Sequence, residues 1–349
     1  MQRRVSLVTH FIHRFFLFLL LLSYVFAYFF PWLGEQIRTT ALGTFRGPEG
    51  AKFEVTVSVL LLALLLFNAG LGLRMSEFKN VKHNLRMMAT GYLTNLIIPF
   101  CLVLVMGSLT LLWGDTAQRS GLIFGLALVS ALPIAGASVA WSEDAEGNMA
   151  LSLGLVLLST LLSPITTPLL LSGVSRIIFS GTGEHFFEIA LRGIGLFLIL
   201  GVVIPSFAGI AVNWAGRWRL YDSIKPYLKL TNFINLLLLN YSNAAVALPK
   251  MFSKQPWGFI VFVFVLAATL CLLRYFSGWI VGRITRAPRN ERVSLLFALG
   301  MNNNGSGLIF AAELFGGYLS VVLPVVFYTL VQQITAALID RRVSRWETI

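Results

Sequence analysis

Three consecutive asparagines between glycines are the residues of this sequence best suited to hold a ligand. Residues 300–307 read GMNNNGSG, so Asn302, Asn303, Asn304 and Ser306 offer side-chain oxygens within one short segment. Amide, hydroxyl and carbonyl oxygens are the ligands of hard cations such as sodium. Because asparagine and glycine are poor helix formers, we predict a helix break with a binding site here. The alternative is that the asparagines only join neighbouring helices through hydrogen bonds.

A second predicted break lies in residues 131–138, which read ALPIAGAS. Pro133 removes a backbone donor and its ring clashes with the preceding turn, and Gly136 lowers helix stability further. Backbone carbonyls freed at a break attract cations, and the N-termini of half-helices attract anions. We therefore expect the three asparagines to bind an ion, and we expect Gly136 and Ser306, one in each break, to contact a substrate.

Further candidates are polar side chains inside apolar runs, where an unsatisfied polar group is costly. Their alternative role is a hydrogen bond to their own helix or to a neighbouring helix. No catalytic residue and no cofactor is predicted, because the four histidines are scattered and no acidic pair lies inside a run. The candidates of this kind for ion binding are Thr94, Asn95 and Ser152, and those for substrate binding are Asn240, Asn243, Gln332 and Gln333.

The chain that carries these residues is strongly apolar. Of its 349 residues, 57% are hydrophobic and 12% are charged, and the mean hydropathy is +0.79. Soluble domains carry roughly 25% charged residues, whereas a helix needs about 20 apolar residues to span a bilayer. We therefore predict an all-α polytopic membrane protein with ten transmembrane helices, which leaves no length for a soluble catalytic domain. The predicted helices cover roughly residues 11–33, 53–73, 85–107, 119–141, 147–171, 187–214, 228–248, 257–281, 291–315 and 317–340.

The 27 Lys and Arg residues lie mostly at the ends of the apolar runs. With ten helices, 18 of them fall on one side of the membrane and seven or eight on the other. Such an excess marks the cytoplasmic side, so we expect both termini in the cytoplasm and a multi-pass protein of the plasma (bacterial inner) membrane. Membrane topology thus accounts for the net charge of +12, so no nucleic-acid partner is expected. The expected partner is the lipid bilayer. Nothing in the sequence indicates an oligomeric state.

The two halves of the sequence resemble each other. LLLFN at 64–68 matches LLLLN at 236–240, and two further helix pairs match at nearly the same offset, between 168 and 173 residues. Because five helices per repeat is an odd number, the second repeat enters the membrane from the opposite side. Inverted repeats with broken helices in corresponding positions are typical of secondary transporters. We predict a first five-helix repeat over 11–171, a second over 187–340 and a cytoplasmic tail over 341–349.

Three motifs carry a resemblance to a known family. They are the glycine-rich stretch 68–73 followed by Glu77 and Phe78, the stretch 133–152 that ends in GNMALS, and the stretch 300–308. At these residues the chain resembles the bile acid:sodium symporter superfamily in its bacterial form. The resemblance implies ten helices in a panel domain and a core domain, with two discontinuous helices, the fourth and the ninth, crossing in the core. It also implies uptake of a small organic anion by alternating access, with Na+ as the coupling ion.

The resemblance implies roles for single residues as well. Ser138 and Ser152 match ligands of the family's first sodium site. A ligand of its second sodium site falls near Thr94 or Asn95. A residue of the last helix that contacts the substrate falls at Gln333.

The chain departs from the family at other ion ligands. Val139 and Val156 stand where the family has an Asn and a Thr, and its glutamate, shared by both sodium sites, falls at Ala298 or Gly300. Without a fixed negative charge a buried site binds sodium more weakly. Sodium coupling therefore has an alternative, which is an uncoupled or proton-coupled facilitator.

Two other functions are alternatives to transport. The missing glutamate also fits a membrane sensor that kept the fold and does not transport. A polytopic enzyme that modifies a lipid-linked substrate would need titratable residues at one membrane face. The group Glu143, Asp144 and Glu146 is the only acidic cluster that would serve it, so this function is the least favoured.

Overall fold

The computed structural model describes residues 15–46, 52–72, 84–179, 185–215, 218–315 and 317–343. This part of the chain is mostly helical and belongs to two compact units. As far as the structure describes them, the first unit comprises residues 1–75 and 196–255, and the second comprises 76–195 and 256–349. Each unit therefore combines a segment from the first half of the sequence with a segment from the second half.

The described elements are fourteen α-helices and one β-hairpin, with a short 3-10 helix at Thr110–Leu112 and a short π-helix at Ile199–Val203. In chain order they are α1 (Phe16–Phe29), α2 (Pro31–Thr39), β1 (Ala41–Arg46), β2 (Lys52–Thr56), α3 (Val57–Leu71), α4 (Leu85–Leu109), α5 (Thr116–Ala131), α6 (Ala137–Asp144), α7 (Met149–Ile178), α8 (His185–Leu198), α9 (Ile204–Trp214), α10 (Trp218–Lys254), α11 (Trp257–Ile284), α12 (Arg289–Gly300), α13 (Asn304–Phe315) and α14 (Leu319–Val343).

In the first unit, the helix predicted over 11–33 is not continuous in its described part. α1 and α2 meet at an angle of 93° at Phe30. The bend follows from Pro31, which has no backbone N–H to continue α1. The hydroxyl of Tyr241 in α10 donates a hydrogen bond to the Phe30 carbonyl, which satisfies a backbone group that the bend exposes.

The hairpin of the first unit was not predicted. β1 and β2 are antiparallel, with Phe45 opposite Phe53. Residues 52–56 alternate between polar and apolar types, which is a strand pattern. The structure agrees with the all-α class in outline, but the second predicted helix begins at Val57 rather than at residue 53. Thr56 caps it, since its Oγ1 accepts a hydrogen bond from the Val59 N–H at 3.3 Å.

The second unit contains two helices that are interrupted inside the protein. α5 and α6 form the first interrupted pair, and α12 and α13 form the second. Helices α4, α7, α11 and α14 pack against them. The break between α5 and α6 lies within the apolar core, because Ile134 belongs to a cluster of buried side chains. The buried members of this cluster are Met88, Tyr92, Ile134, Leu151, Leu155, Leu295 and Ala298.

Five described helical segments are long and apolar enough to cross a membrane, or six if the bent pair of α1 and α2 is one crossing. The five are Leu85–Leu112, Met149–Ile178, His185–Trp214, Trp257–Ile284 and Leu319–Val343. The helices of the two interrupted pairs are each too short to cross a membrane alone, since α5, α6, α12 and α13 have 16, 8, 12 and 12 residues. Ten crossings therefore stay a prediction.

Candidate functional site

The two helix breaks of the second unit lie side by side. Residues 132–136 separate α5 from α6, and residues 301–303 separate α12 from α13. The two stretches are paired antiparallel, with Ile134 opposite Asn302. The breaks predicted in 131–138 and 300–307 are therefore present, and they contact each other. Two backbone hydrogen bonds of 2.9 Å flank the pair, from the Ala135 N–H to the Met301 carbonyl and from the Asn303 N–H to the Pro133 carbonyl.

Local sequence explains how the second helix of a pair starts. Asn303 and Ser306 cap α13, because Asn303 Oδ1 accepts from the Ser306 N–H at 3.4 Å and Ser306 Oγ donates to the Asn303 carbonyl at 2.7 Å. Gly307 lets Leu132 pack against the first turn of α13, since a methyl group at Gly307 would overlap the Leu132 side chain. Gly136 lies directly before α6 with helical dihedral angles, φ −57° and ψ −29°.

Gln332 of α14 holds the unwound stretch between α12 and α13. Its Oε1 accepts from the Asn302 backbone N–H and from Asn304 Nδ2, both at 2.9 Å. Its Nε2 donates to the Asn302 carbonyl at 3.2 Å. The side chain of Asn302 reaches the first break, where its Nδ2 donates to the Val129 carbonyl. The structure thus brings together three of the predicted site residues, Asn302, Asn304 and Gln332.

Three amide oxygens of predicted site residues are buried without a hydrogen-bond partner. They are Oδ1 of Asn302, Oδ1 of Asn304 and Oε1 of Gln333. The three side chains are 1%, 2% and 6% exposed, so bulk water does not serve these oxygens. A buried acceptor without a protein partner indicates a position for a bound water, ion or ligand.

The carbonyls that end α5 and α12 are mostly occupied by protein donors. The last four carbonyls of a helix have no partner within the helix. At the end of α5, Asn302 Nδ2 donates a hydrogen bond to the Val129 carbonyl, and Thr167 Oγ1 donates one to the Ala131 carbonyl at 2.6 Å. At the end of α12, Tyr328 Oη donates to the Gly300 carbonyl at 3.3 Å.

One arginine serves both helix ends at once. Arg274 of α11 donates from Nε to the Leu299 carbonyl at 3.0 Å and from Nη1 to the Ser130 carbonyl at 3.4 Å. Its Nη2 donates to Asn95 Oδ1 at 2.6 Å. The side chain is 1% exposed, and no carboxylate in the described part of the chain pairs with it. Arg274 therefore brings a buried positive charge to the crossing of the two breaks.

Comparison with known proteins identifies the family. A model of the SBF-like CPA transporter family matches residues 14–345. The chain belongs to this family. Among its relatives, the uncharacterized protein YbaS of Bacillus subtilis is 32% identical over 229 residues, which cover 64% of this chain and 70% of YbaS. The uncharacterized sodium-dependent transporter YocS of Bacillus subtilis is 22% identical over 256 residues, which cover 73% of this chain and 74% of YocS.

Membership of the SBF-like CPA transporter family confirms the predicted resemblance to the bile acid:sodium symporters. Together with the apolar helices, it supports a membrane-embedded transporter. The family and the printed name of YocS also point to a transporter rather than an enzyme.

In this member of the SBF-like CPA transporter family, the predicted ion ligands fall into separate hydrogen-bonding groups. Asn95 binds Arg274, whereas the adjacent Thr94 donates to the Thr90 carbonyl of its own helix at 2.8 Å. Ser138 Oγ donates to the Ala135 carbonyl at 2.7 Å. Ser152 instead bonds to another buried serine, Ser142.

Ser152 belongs to a cluster of buried serines. Ser152 Oγ donates to Ser142 Oγ at 2.8 Å, and Ser142 Oγ lies 2.9 Å from Ser294 Oγ. Ser294 Oγ lies 2.9 Å from the Asn148 carbonyl, to which it donates. All three serines are fully buried. Gly147 packs directly on two of them, since a methyl group at Gly147 would overlap Ser142 and Ser294. We call Ser142, Ser152 and Ser294 the serine cluster.

Two predicted substrate contacts belong to the first unit. Asn240 Nδ2 donates to the Leu236 carbonyl at 2.7 Å, within α10. Asn243 Oδ1 accepts from Arg38 Nη1 at 3.0 Å, and both side chains are buried. The other predicted contacts, Gly136, Ser306 and the pair Gln332–Gln333, belong to the second unit.

Sequence reasoning missed Arg274. This residue lies within the predicted span 257–281 and belongs to neither side of the count of basic residues. A charged side chain inside a membrane span is costly and marks a functional site by default. That rule, applied to the 27 basic residues one by one, would have identified it from the sequence.

Proposed function

We propose that this protein is a secondary transporter that carries a small organic anion across the membrane by alternating access. The observation that carries the proposal is the antiparallel contact of the two helix breaks, with Ile134 opposite Asn302. Irregular backbone at membrane depth is tolerated where protein buries it or where it lines a cavity. Transporters use such breaks to build a substrate site near the middle of the bilayer.

The charges at the crossing favour an anionic substrate. α6 and α13 begin at the breaks, so their N-terminal ends carry partial positive charge there. The C-terminal ends of α5 and α12, which carry partial negative charge, are occupied by the Arg274 guanidinium, so the N-terminal ends of α6 and α13 are left to attract an anion. Gln333, whose Oε1 has no protein partner, offers an amide for a polar group of the substrate.

The proposal includes the membrane arrangement predicted from the sequence. In it the bent pair α1–α2, the five long apolar segments, α3, α10 and the two interrupted pairs make ten crossings. The antiparallel run of the two breaks supports two inverted repeats, because corresponding segments then cross the membrane in opposite directions. Each compact unit also draws on both halves of the chain, as interleaved repeats require. Both termini lie in the cytoplasm in this arrangement, and the membrane is the inner membrane of a bacterium.

Uptake into liposomes tests the proposal. The full chain is reconstituted, and labelled small carboxylates are offered with a sodium gradient, with a proton gradient and with neither. We expect at least one anion to enter faster than into protein-free liposomes. Stimulation by sodium alone would indicate sodium coupling, in line with the sodium dependence that the name of YocS states. Stimulation by protons alone or by neither gradient would indicate a proton-coupled or uncoupled facilitator.

Two matched variants on α14 test whether uptake depends on the contact between the two helix breaks. Gln333→Leu removes an amide whose Oε1 has no hydrogen-bond partner, and we expect a higher KM for the transported anion. Thr329→Val on the same helix removes a hydroxyl that only serves the Val325 carbonyl at 2.7 Å, and uptake should stay as in the unaltered protein. Binding of an anion without flux would contradict transport and favour the sensor.

A further inference from the structure

Arg274 occupies the position at which the two interrupted helices would attract a cation. The guanidinium contacts the Ser130 carbonyl at the end of α5, the Leu299 carbonyl at the end of α12 and the Asn95 amide on α4. We propose that Arg274 is the permanent cation of the crossing and takes the place of a bound coupling ion, so that the site forms without sodium. This inference rests on the proposed function, because it concerns the same crossing.

The charges of the helix ends balance the guanidinium. Each helix C-terminus carries roughly half a negative charge, so two ends that face one group supply about one. A buried guanidinium without a carboxylate is expensive unless such dipoles and hydrogen bonds compensate it. Here the three nitrogens of the planar guanidinium donate to three acceptors, which lie on three different helices. Without the guanidinium, a bound metal ion would have to bring these acceptors together.

The acceptors that a sodium ion would need at the ends of α5 and α12, and at the predicted ligands Asn95 and Ser152, are engaged by the protein. Asn95 Oδ1 accepts from Arg274 at 2.6 Å. The Val129, Ala131 and Gly300 carbonyls accept from side chains, as described above. The hydroxyls of the serine cluster bond to one another. A sodium ion at the end of α5 or α12 would therefore have to displace a guanidinium that is tied to the chain.

A simple brace would make the same hydrogen bonds, so the test must measure the response to ions. The full chain in lipid nanodiscs is unfolded by heat, followed by tryptophan fluorescence, in sodium, potassium or choline chloride at equal ionic strength. For the unaltered protein we expect the same midpoint in all three salts. Arg274→Gln should lower the midpoint by roughly 5 °C or more, because two helix ends lose their donor. In this variant sodium should raise the midpoint relative to choline, since the emptied position accepts a small cation.

Two further variants separate charge from shape. Arg274→Lys keeps the positive charge and should lose less stability than Arg274→Gln, without a response to sodium. Arg283→Gln on the same helix removes an exposed arginine, which stacks on Trp279, and should leave the midpoint and its salt response unchanged. If Arg274→Gln does not fold, a sodium-specific rise of the midpoint in the unaltered protein or in Arg274→Lys would still overturn the inference.

Three results would overturn the inference. They are a sodium-specific rise of the midpoint in the unaltered protein, an unchanged midpoint in Arg274→Gln, and a loss in that variant that sodium does not relieve. The last result would leave Arg274 as a brace only. None of these midpoints depends on a substrate, so a failure of all uptake experiments would remove the proposed function and leave this result readable.

Discussion

Gln332 binds the backbone of Asn302 with both ends of its amide, accepting from the N–H at 2.9 Å and donating to the carbonyl at 3.2 Å. A side chain thus makes the pair of contacts that a neighbouring strand would make. Because Asn302 also faces Ile134 of the other break, the unwound stretch is held from two sides. The crossing is therefore a pre-formed piece of backbone, which suits a binding site that must keep its shape while the protein changes state.

The two adjacent glutamines of α14 should differ sharply in their effect on stability. Gln332→Leu leaves the Asn302 N–H and carbonyl and the Asn304 amide without their partner, at a cost of about 1–3 kcal/mol. Gln333→Leu removes an oxygen that already lacks a partner and should cost little. Thermal unfolding of both variants in nanodiscs measures the difference. Equal midpoints for the two would contradict the role given to Gln332.

Asn95 and Thr94 offer a second matched comparison on α4. Asn95→Leu leaves one donor of Arg274 unpaired, and we expect a lower unfolding midpoint. Thr94→Val removes a hydroxyl that serves only its own helix at 2.8 Å, so its midpoint should hardly move. Hydrogen bonds between membrane helices average about 0.6 kcal/mol in double-mutant cycles, and the buried charge places this one above that average. A cycle of Asn95→Leu with Arg274→Gln should show coupling, and strict additivity would contradict the contact.

Gly300 ends α12 directly against an aromatic ring. A methyl group there would overlap Tyr275, whose hydroxyl donates to the Gln332 carbonyl at 3.0 Å. Gly300→Ala should therefore push the ring away and lower stability by about 1–3 kcal/mol, as over-packing does. Gly114→Ala is the control, because a methyl group at Gly114 meets nothing within 4 Å. Proteolysis rates and unfolding midpoints would reveal the change, and a Gly300→Ala protein as stable as Gly114→Ala would be evidence against this packing.

The positions of the breaks were predictable because their signals are local. Pro133 cannot continue a helix, and a run of asparagines and glycines has low helix propensity wherever it stands. The contact between the breaks was expected because they stand at corresponding positions of the two similar halves of the sequence. Family membership was likewise readable, because the motifs that carry it are short and contiguous.

The partners inside the site were not predictable in the same way. Gln332 was expected to line a site, but its contact with Asn302 depends on how α14 is rotated, which only tertiary packing decides. The ion ligands expected from the resemblance lie in separate groups, because Arg274 occupies Asn95 and neighbouring serines occupy Ser152. The bend at Pro31 had a local signal, but its size of 93° depends on contacts with α10.

The serine cluster provides the last prediction, because Ser152 was expected to bind sodium. Ser142 Oγ lies between Ser152 Oγ at 2.8 Å and Ser294 Oγ at 2.9 Å, so Ser142→Ala separates the two outer hydroxyls. We expect it to cost about 1–3 kcal/mol, more than Ser152→Ala, which removes one end and leaves the other contact. Ser163→Ala on α7 is the control, since Ser163 Oγ serves only the Thr160 carbonyl at 2.8 Å. The unfolding midpoint should fall most in Ser142→Ala, less in Ser152→Ala and least in Ser163→Ala. The unaltered protein should show the same midpoint in sodium chloride as in choline chloride, so that Ser152→Ala has no sodium response to abolish. The opposite result would be a stabilisation of the unaltered protein by sodium that is lost in Ser152→Ala alone. This result would restore Ser152 as an ion ligand, because only a bound cation makes the stability depend both on Ser152 Oγ and on the salt.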